Sequence, residues 1–170
     1  INHVEVAIEG LTQPVTIVVL ADIQIGGHRG RSWLERTVRA TNTLAPDLIL
    51  IPGDIVDSNT AVNPEVLAPL KDLKAPAYFV TGNHDTYVME NKLKNIIKKM
   101  GITVLENTVV SITGGLQLIG LEFMNPDDDT FDLHPSENTK TIKSVLPSLA
   151  AAPDVPTIIM HHSPVGESYV

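Results

Sequence analysis

The sequence predicts an α/β fold in which a parallel sheet is followed by an antiparallel or mixed portion. Short apolar, β-branched runs recur along the chain without alternation, at Val15–Ala21, Leu48–Pro52, Ala77–Thr81 and Thr157–Met160. Unalternated runs of this kind belong to strands covered on both faces, as in a parallel sheet flanked by helices. Helical patterns separate the first three runs. Beyond Ile102 the spacing tightens, and Gly114-Gly115 lies between two strand-like segments as a hairpin signal.

Each element has a local reason. Ser32 is placed to cap a helix running to about Leu44, with Trp33, Val38 and Thr41 on one stripe, and Pro46 stops it. Pro64 opens a second helix over Glu65–Leu73, and Tyr87–Met100 reads as a third, closed by Gly101. Ile102–Leu105, Thr108–Ile112 and Leu116–Leu121 form the antiparallel or mixed part. The stretch from Asn125 to Asn138, with Asp127, Asp128 and Asp129 in succession, reads as a solvated loop. Lys140–Ala151 is a last helix, kinked or shortened by Pro147.

Composition narrows the function. The chain has 170 residues, enough for one domain, with 12 basic against 20 acidic side chains and a net charge of −8. That balance argues against a duplex-binding surface, whose affinity comes from lysines and arginines on phosphates. The cluster Lys92, Lys94, Lys98, Lys99 reads as the solvated face of a helix. The chain has no cysteine, hence no disulfide and no thiolate metal site, and the redox compartment is left open. Asp22 interrupts the apolar run from Val15 and Pro52 ends the one from Leu48, so no run reaches the roughly 20 residues that cross a bilayer. Ile1–Leu11 lacks the basic and apolar regions of a signal peptide, and because the chain starts at Ile1 rather than Met, something is expected to precede it.

The chemistry sits at the strand ends. Asp22, Asp54, the trio Asn83, His84 and Asp85, and the pair His161 and His162 each come just after a strand-like run. Open α/β sheets build their ligand crevices at such C-terminal strand ends. Taken singly, each is a turn former, a cap or a structural histidine. Taken together they are oxygen and imidazole donors converging on one edge, a set without sulfur that suits Mn, Fe, Zn or Mg. Two such ions sharing a carboxylate make a phosphoryl-transfer site.

The blocks Asp22-Ile23-Gln24, Gly53-Asp54-Ile55-Val56-Asp57, Gly82-Asn83-His84-Asp85 and His161-His162-Ser163-Pro164 resemble four of the five signature blocks of the calcineurin-like metallophosphoesterases, in the same order. The second and third are the specific ones. The resemblance implies a metallophosphoesterase-like four-layer α/β/β/α sandwich with mixed sheets, and two divalent metal ions. It implies that Asp54 bridges them, that Asp22 holds the first, and that Asn83 and one of the two histidines hold the second. His162 stands two residues before the proline, as the family's ligand does, though either histidine could serve. His84 is implied as the residue facing the phosphate and protonating the leaving oxygen, with Asp85 orienting its ring. Asp57 is implied to fix the loop around Asp54.

The chain departs from the family pattern twice. Gln24 takes the position of a histidine ligand, a weaker and harder donor that shifts the first site toward Mg or Mn; His28, nearby on a glycine-flanked loop, could substitute. No Gly-His-x-His block comes after His162, so the domain is expected to be truncated at its C-terminus, with the natural chain continuing past Val170. As it stands, the chain is expected to hold at most one metal weakly and to have little activity. The implied function is hydrolysis of a phosphomonoester or phosphodiester by metal-bound hydroxide. A degenerate member that binds a phosphate ligand or protein partner without hydrolysis is the alternative, and a nuclease is disfavoured by the acidity. Implied partners are a small-molecule or lipid-linked phosphoester and no nucleic acid. The segment before Asp22 and the ending His-Ser-Pro-Val-Gly most resemble bacterial members, often tethered by a membrane segment upstream of residue 1, so a cytoplasmic or membrane-associated site is expected.

Overall fold

The computed structural model describes residues 2–130, 136–164 and 167–169; the centre of the predicted 125–138 loop and Val165-Gly166 lie outside the described residues. Strands β1 (Ile17–Val19), β2 (Leu48–Ile51), β3 (Ala77–Phe79) and β4 (Thr103–Val104) form one parallel sheet in that order. Strands β5 (Thr108–Ser111), β6 (Gln117–Gly120) and β7 (Thr157–Met160) form a second, with β5 antiparallel and β7 parallel to β6. Two expectations change here. The segment 102–105 belongs to the parallel sheet and not to the hairpin portion, and the last strand joins the second sheet.

The side-chain period of two splits each strand between two cores. From β2 and β3, Ile49, Ile51, Ala77 and Phe79 face α1 (Arg31–Thr43), α2 (Pro64–Leu67) and α4 (Glu90–Lys99), meeting Leu34, Val38, Leu67, Leu93 and Ile97. Their neighbours Leu48, Leu50 and Tyr78, with Val80 just beyond β3, turn the other way and pack on Leu118, Ile158 and Met160 of the second sheet. The far face of that sheet, through Ile119 and Ile159, meets Ile142 and Val145 of α5 (Ile142–Val145). The result is a helix, sheet, sheet, helix sandwich.

The helices differ in detail from the sequence expectation. Gly30, not Ser32, is the N-cap of α1, and Ser32 is exposed within the helix. Asn63 caps α2 by accepting from the Glu65 amide, but with Pro69 the rest of the predicted helix becomes a 3₁₀ segment over Ala68–Asp72. The predicted 87–100 helix starts later, as α4 at Glu90, and Tyr87 instead ends a separate short helix, α3 (Asn83–Tyr87). Pro147 cuts the last helix to α5 and a single 3₁₀ turn over Leu146–Ser148.

Lys94 is not on a solvated face. It is buried on α4 between Glu90 and Glu106, where burial works against its charge and hydrogen bonds to both carboxylates outweigh that, holding it above the ordinary lysine range. This ties α4 to the β4–β5 turn.

Phe79 has no exposed surface at the centre of the helix-side core, whereas Val19 on the edge strand β1 is 58% exposed. Urea denaturation should show Phe79→Ala costing about 3–5 kcal/mol, and Val19→Thr staying within about 0.5 kcal/mol of the parent.

Candidate metal centre

The site is built on three loops that leave β1, β2 and β3, and on the turn after β7. Asp22, Gln24 and Asp54 all have left-handed backbone, with φ of 53°, 48° and 53°. Such conformations cost about 1–3 kcal/mol each in a non-glycine residue and persist only where the surroundings impose them. The surroundings are specific. The amides of Gln24 and Ile25 donate to the carbonyls of Asp54 and Ile55, each at 2.9 Å. Arg29 donates through Nη1 to the carbonyls of Asp22 (3.1 Å) and Ile23 (3.0 Å), and its guanidinium lies 5.2 Å over the Trp33 ring.

The β2 and β3 loops touch backbone to backbone at Gly53 and Gly82. A Cβ on Gly53 would lie 2.5 Å from the Gly82 nitrogen, and one on Gly82 would lie 2.6 Å from the Asp54 nitrogen and overlap the Asp54 carboxylate. Only glycine at both positions permits this approach.

Asp85 locks the contact. Its Oδ2 accepts from the amides of Gly82 (2.9 Å) and Asp54 (2.7 Å), and its Oδ1 from Ile55 (3.0 Å) and Val56 (3.3 Å). The expectation that Asp85 orients the His84 ring is therefore corrected: its oxygens are spent on backbone amides of two loops. Burial raises this carboxyl to about 6 and the Asp54 charge adds to the rise, while the amides of Gly82, Val56 and Asp54 pull the other way.

Asp54, 2% exposed, is fixed at one oxygen by the His84 amide, which donates to Oδ1 at 2.9 Å. Its Oδ2 faces His162 Nε2 at 3.5 Å and His84 Nε2 at 3.9 Å. His162 pairs through Nδ1 with the Pro52 carbonyl at 2.9 Å, and its Nε2 lies 2.9 Å from Asn83 Oδ1. A carbonyl only accepts, so the Nδ1 proton points at Pro52. Nε2 then faces the Asp54 and Asn83 side chains, so that three side chains with donor atoms are turned toward one another as in a ligand set. A histidine whose far nitrogen is fixed by a carbonyl is also how proteins aim imidazole at a metal. Ligand atoms of Asp22, Asp54 and His162 all lie within 4.8 Å of one another. The donor set fits a divalent ion, with Asn83 adding an amide oxygen.

The two histidines after β7 take separate roles. The His161 ring stacks on Phe123 (centroids 6.3 Å apart, planes at 5°) and its Nδ1 meets the Ser163 carbonyl, whereas His162 enters the cluster. Gln24 is half-buried, with its backbone amide on the Asp54 carbonyl; His28 is exposed on its loop and is not part of the cluster. The exposed Asp57 carboxylate lies against the α-carbon of Gly26, where a Cβ would overlap it. The Pro52 carbonyl, Arg29 and Phe123 also shape the site without a sequence signal, since a main-chain carbonyl and a long-range stack leave no local trace.

A cluster of two carboxylates and an imidazole, running from the exposed Asp22 to the buried Asp54, thus stands at converging strand ends of an α/β/β/α sandwich as a candidate metal centre. The calcineurin-like phosphoesterase profile matches residues 15–170, and the chain belongs to that family. It is 32% identical over 161 residues to a Bos taurus "Transmembrane protein with metallophosphoesterase domain", covering 88% of this chain and 35% of that protein. It is 33% identical over 106 residues to "Phosphodiesterase YaeI" of Escherichia coli K12, covering 58% of this chain and 39% of that one. The chain thus spans little more than a third of the length of these relatives. The crystal structure of Pseudomonas putida nuclease MPE overlays with a TM-score of 0.44 at 21% identity, over 66% of this chain and 56% of the other.

The raised Asp85 carboxyl sets a pH dependence. A group protonated more readily folded than unfolded contributes stability that is complete below 3.8 and lost as pH rises through about 6. In the metal-free chain, the stability of wild type relative to Asp85→Asn should therefore fall by about 2 kcal/mol between about pH 4 and about pH 7. Denaturant titrations of both proteins across that range measure it; a gap that is constant or widens contradicts this assignment.

Proposed function

We propose that the chain carries the centre of a metal-dependent phosphoesterase that hydrolyses a phosphomonoester or phosphodiester at a dinuclear site. The observation that supports this best is that His162 Nε2 lies 3.5 Å from Asp54 Oδ2 and 2.9 Å from Asn83 Oδ1, with a carboxylate oxygen of Asp22 within 4.8 Å of the Asp54 and His162 ligand atoms. On this reading Asp54, Asn83 and His162 hold one divalent ion, and Asp22 with Gln24 and Asp54 holds the other. When bound, the ions supply charge that polarises the phosphoryl oxygens and lowers the pKa of a water.

The chain's own residues do the rest. Asp54 is buried and pinned at one oxygen by the His84 amide, so its second oxygen is always presented on the same side. His84, with its side chain 43% exposed and Nε2 directed at the same carboxylate, stands where it can donate a proton to the departing oxygen. Asp85 holds both loops but touches no reacting atom.

The net charge of −8 supports a small-molecule or lipid-linked phosphoester over nucleic acid. No helix among the described residues is long and apolar enough to cross a membrane. The bovine relative is named as a transmembrane protein, which supports a membrane tether outside these residues.

The test loads the full-length protein with Mn²⁺ and assays p-nitrophenyl phosphate and bis-p-nitrophenyl phosphate beside Asp54→Asn. We expect metal-dependent turnover that falls at least about 100-fold in the variant, since loss of residues that merely support ligands already costs up to that much. Absence of metal-dependent turnover above the variant would overturn hydrolysis and leave a phosphate-binding role.

A further inference from the structure

Two of the ligands proposed for one ion, Asp22 and Gln24, flank Ile23 on the loop after β1. In an extended strand successive carbonyls point to opposite sides. Here the carbonyls of Asp22 and Ile23 converge on a single nitrogen, Nη1 of Arg29, at 3.1 and 3.0 Å. Both flanking residues are left-handed, so Arg29 grips the turned stretch of chain from which both ligand side chains leave.

Arg29 is itself fixed from two sides. Its carbonyl accepts from the Gly26 amide at 2.9 Å, which closes the loop behind the ligands. Its guanidinium lies over the ring of Trp33, in the first turn of α1, within the range of a cation–π contact. Leu34, the next residue, is fully buried in the helix-side core. The ligand loop is thereby tied to α1 as well as to the loop after β2.

An arginine beside a cation site ordinarily works against the cation, by pairing with its carboxylate ligands or by repulsion. Arg29 pairs with no carboxylate among the described residues, and no hydrogen bond or ion pair among them occupies the Asp22 side chain. The donor goes to main-chain oxygens, and the Asp22 carboxylate is left to the cluster with Asp54 and His162.

We propose that Arg29 is a positioning residue for the metal centre: by holding the Asp22 and Ile23 carbonyls it keeps Asp22 and Gln24 turned to ligate, and so raises metal affinity despite its own positive charge. The inference rests on the dinuclear reading for which ion it affects, but the gain in affinity requires only that Asp22 be a ligand.

Charge and positioning predict opposite signs. Were charge the whole effect, removing Arg29 would tighten cation binding; losing the grip on the loop weakens it. Isothermal titration of Mn²⁺ into the full-length protein compares wild type with Arg29→Ala, Arg29→Lys and Arg31→Ala. Arg31 pairs with Glu35 and donates to the Glu65 carbonyl, so its variant removes the same charge nearby without touching the ligand loop. In Arg29→Ala one of two binding events is expected to weaken at least about tenfold, with the other within about twofold of wild type. Arg29→Lys keeps the charge but loses the planar, stacked fork, and a loss of at least about threefold at the same event is expected. Arg31→Ala is expected to bind as wild type does. Binding by Arg29→Ala as tight as wild type or tighter overturns the proposal. If Arg29→Ala does not fold, Arg29→Lys decides, and wild-type affinity there overturns it. A wild type that takes up one ion overturns the dinuclear reading, and weakening of that one event in Arg29→Ala still upholds the role of Arg29.

Discussion

The site depends on one buried carboxylate that performs no chemistry. Asp85 gathers four backbone amides, one from its own loop and three from the loop after β2, and so welds two separate strand ends into a single surface. Each bond is worth about 1.5–3 kcal/mol when the acceptor is charged, and removing the acceptor strands several buried donors at once. Gly53 and Gly82 make the weld possible by allowing the two backbones to meet. Once the weld is made, the position of Asp54 relative to Asn83 and His84 has almost no freedom left.

From that fixed edge the remaining donors are brought in across the sandwich. Asp22 comes from β1 in the same sheet, held in a left-handed conformation by its neighbours and by Arg29. His162 comes from β7 in the other sheet, so packing between the sheets sets its distance from Asp54. The Pro52 carbonyl then aims its ring. The interior between the sheets therefore does more than stabilise the fold, because a shift of one sheet over the other would open the cluster.

Much of this is legible in the sequence. The unalternated runs mark the parallel strands, and the polar residues after them mark the convergence, because strand termini are set by local composition. The illegible part depends on tertiary choices. Thr103–Val104 and Thr157–Met160 carry the same apolar signal as their neighbours, and only packing decides which sheet each joins. The role of Asp85 is hidden because adjacency to His84 in sequence implies contact in space, whereas consecutive residues of a helix such as α3 point about 100° apart. The strain at Asp22, Gln24 and Asp54 is invisible for the opposite reason: nothing in those residue types demands a positive φ, and the loops impose it. The excess of acid is partly local, with Asp22, Asp54 and Asp85 at the centre and Asp127 in a loop turn, accepting from the Asp129 and Thr130 amides.

The central claim is that Asp54, Asn83 and His162 converge on a cation, and that His162 rather than His161 supplies the imidazole. Isothermal titration of Mn²⁺ into the wild type, His162→Ala and His161→Ala tests it most directly. His162→Ala is predicted to weaken binding at least about tenfold while His161→Ala stays within about twofold of the parent. Equal loss in both variants, or loss in His161→Ala alone, would contradict it.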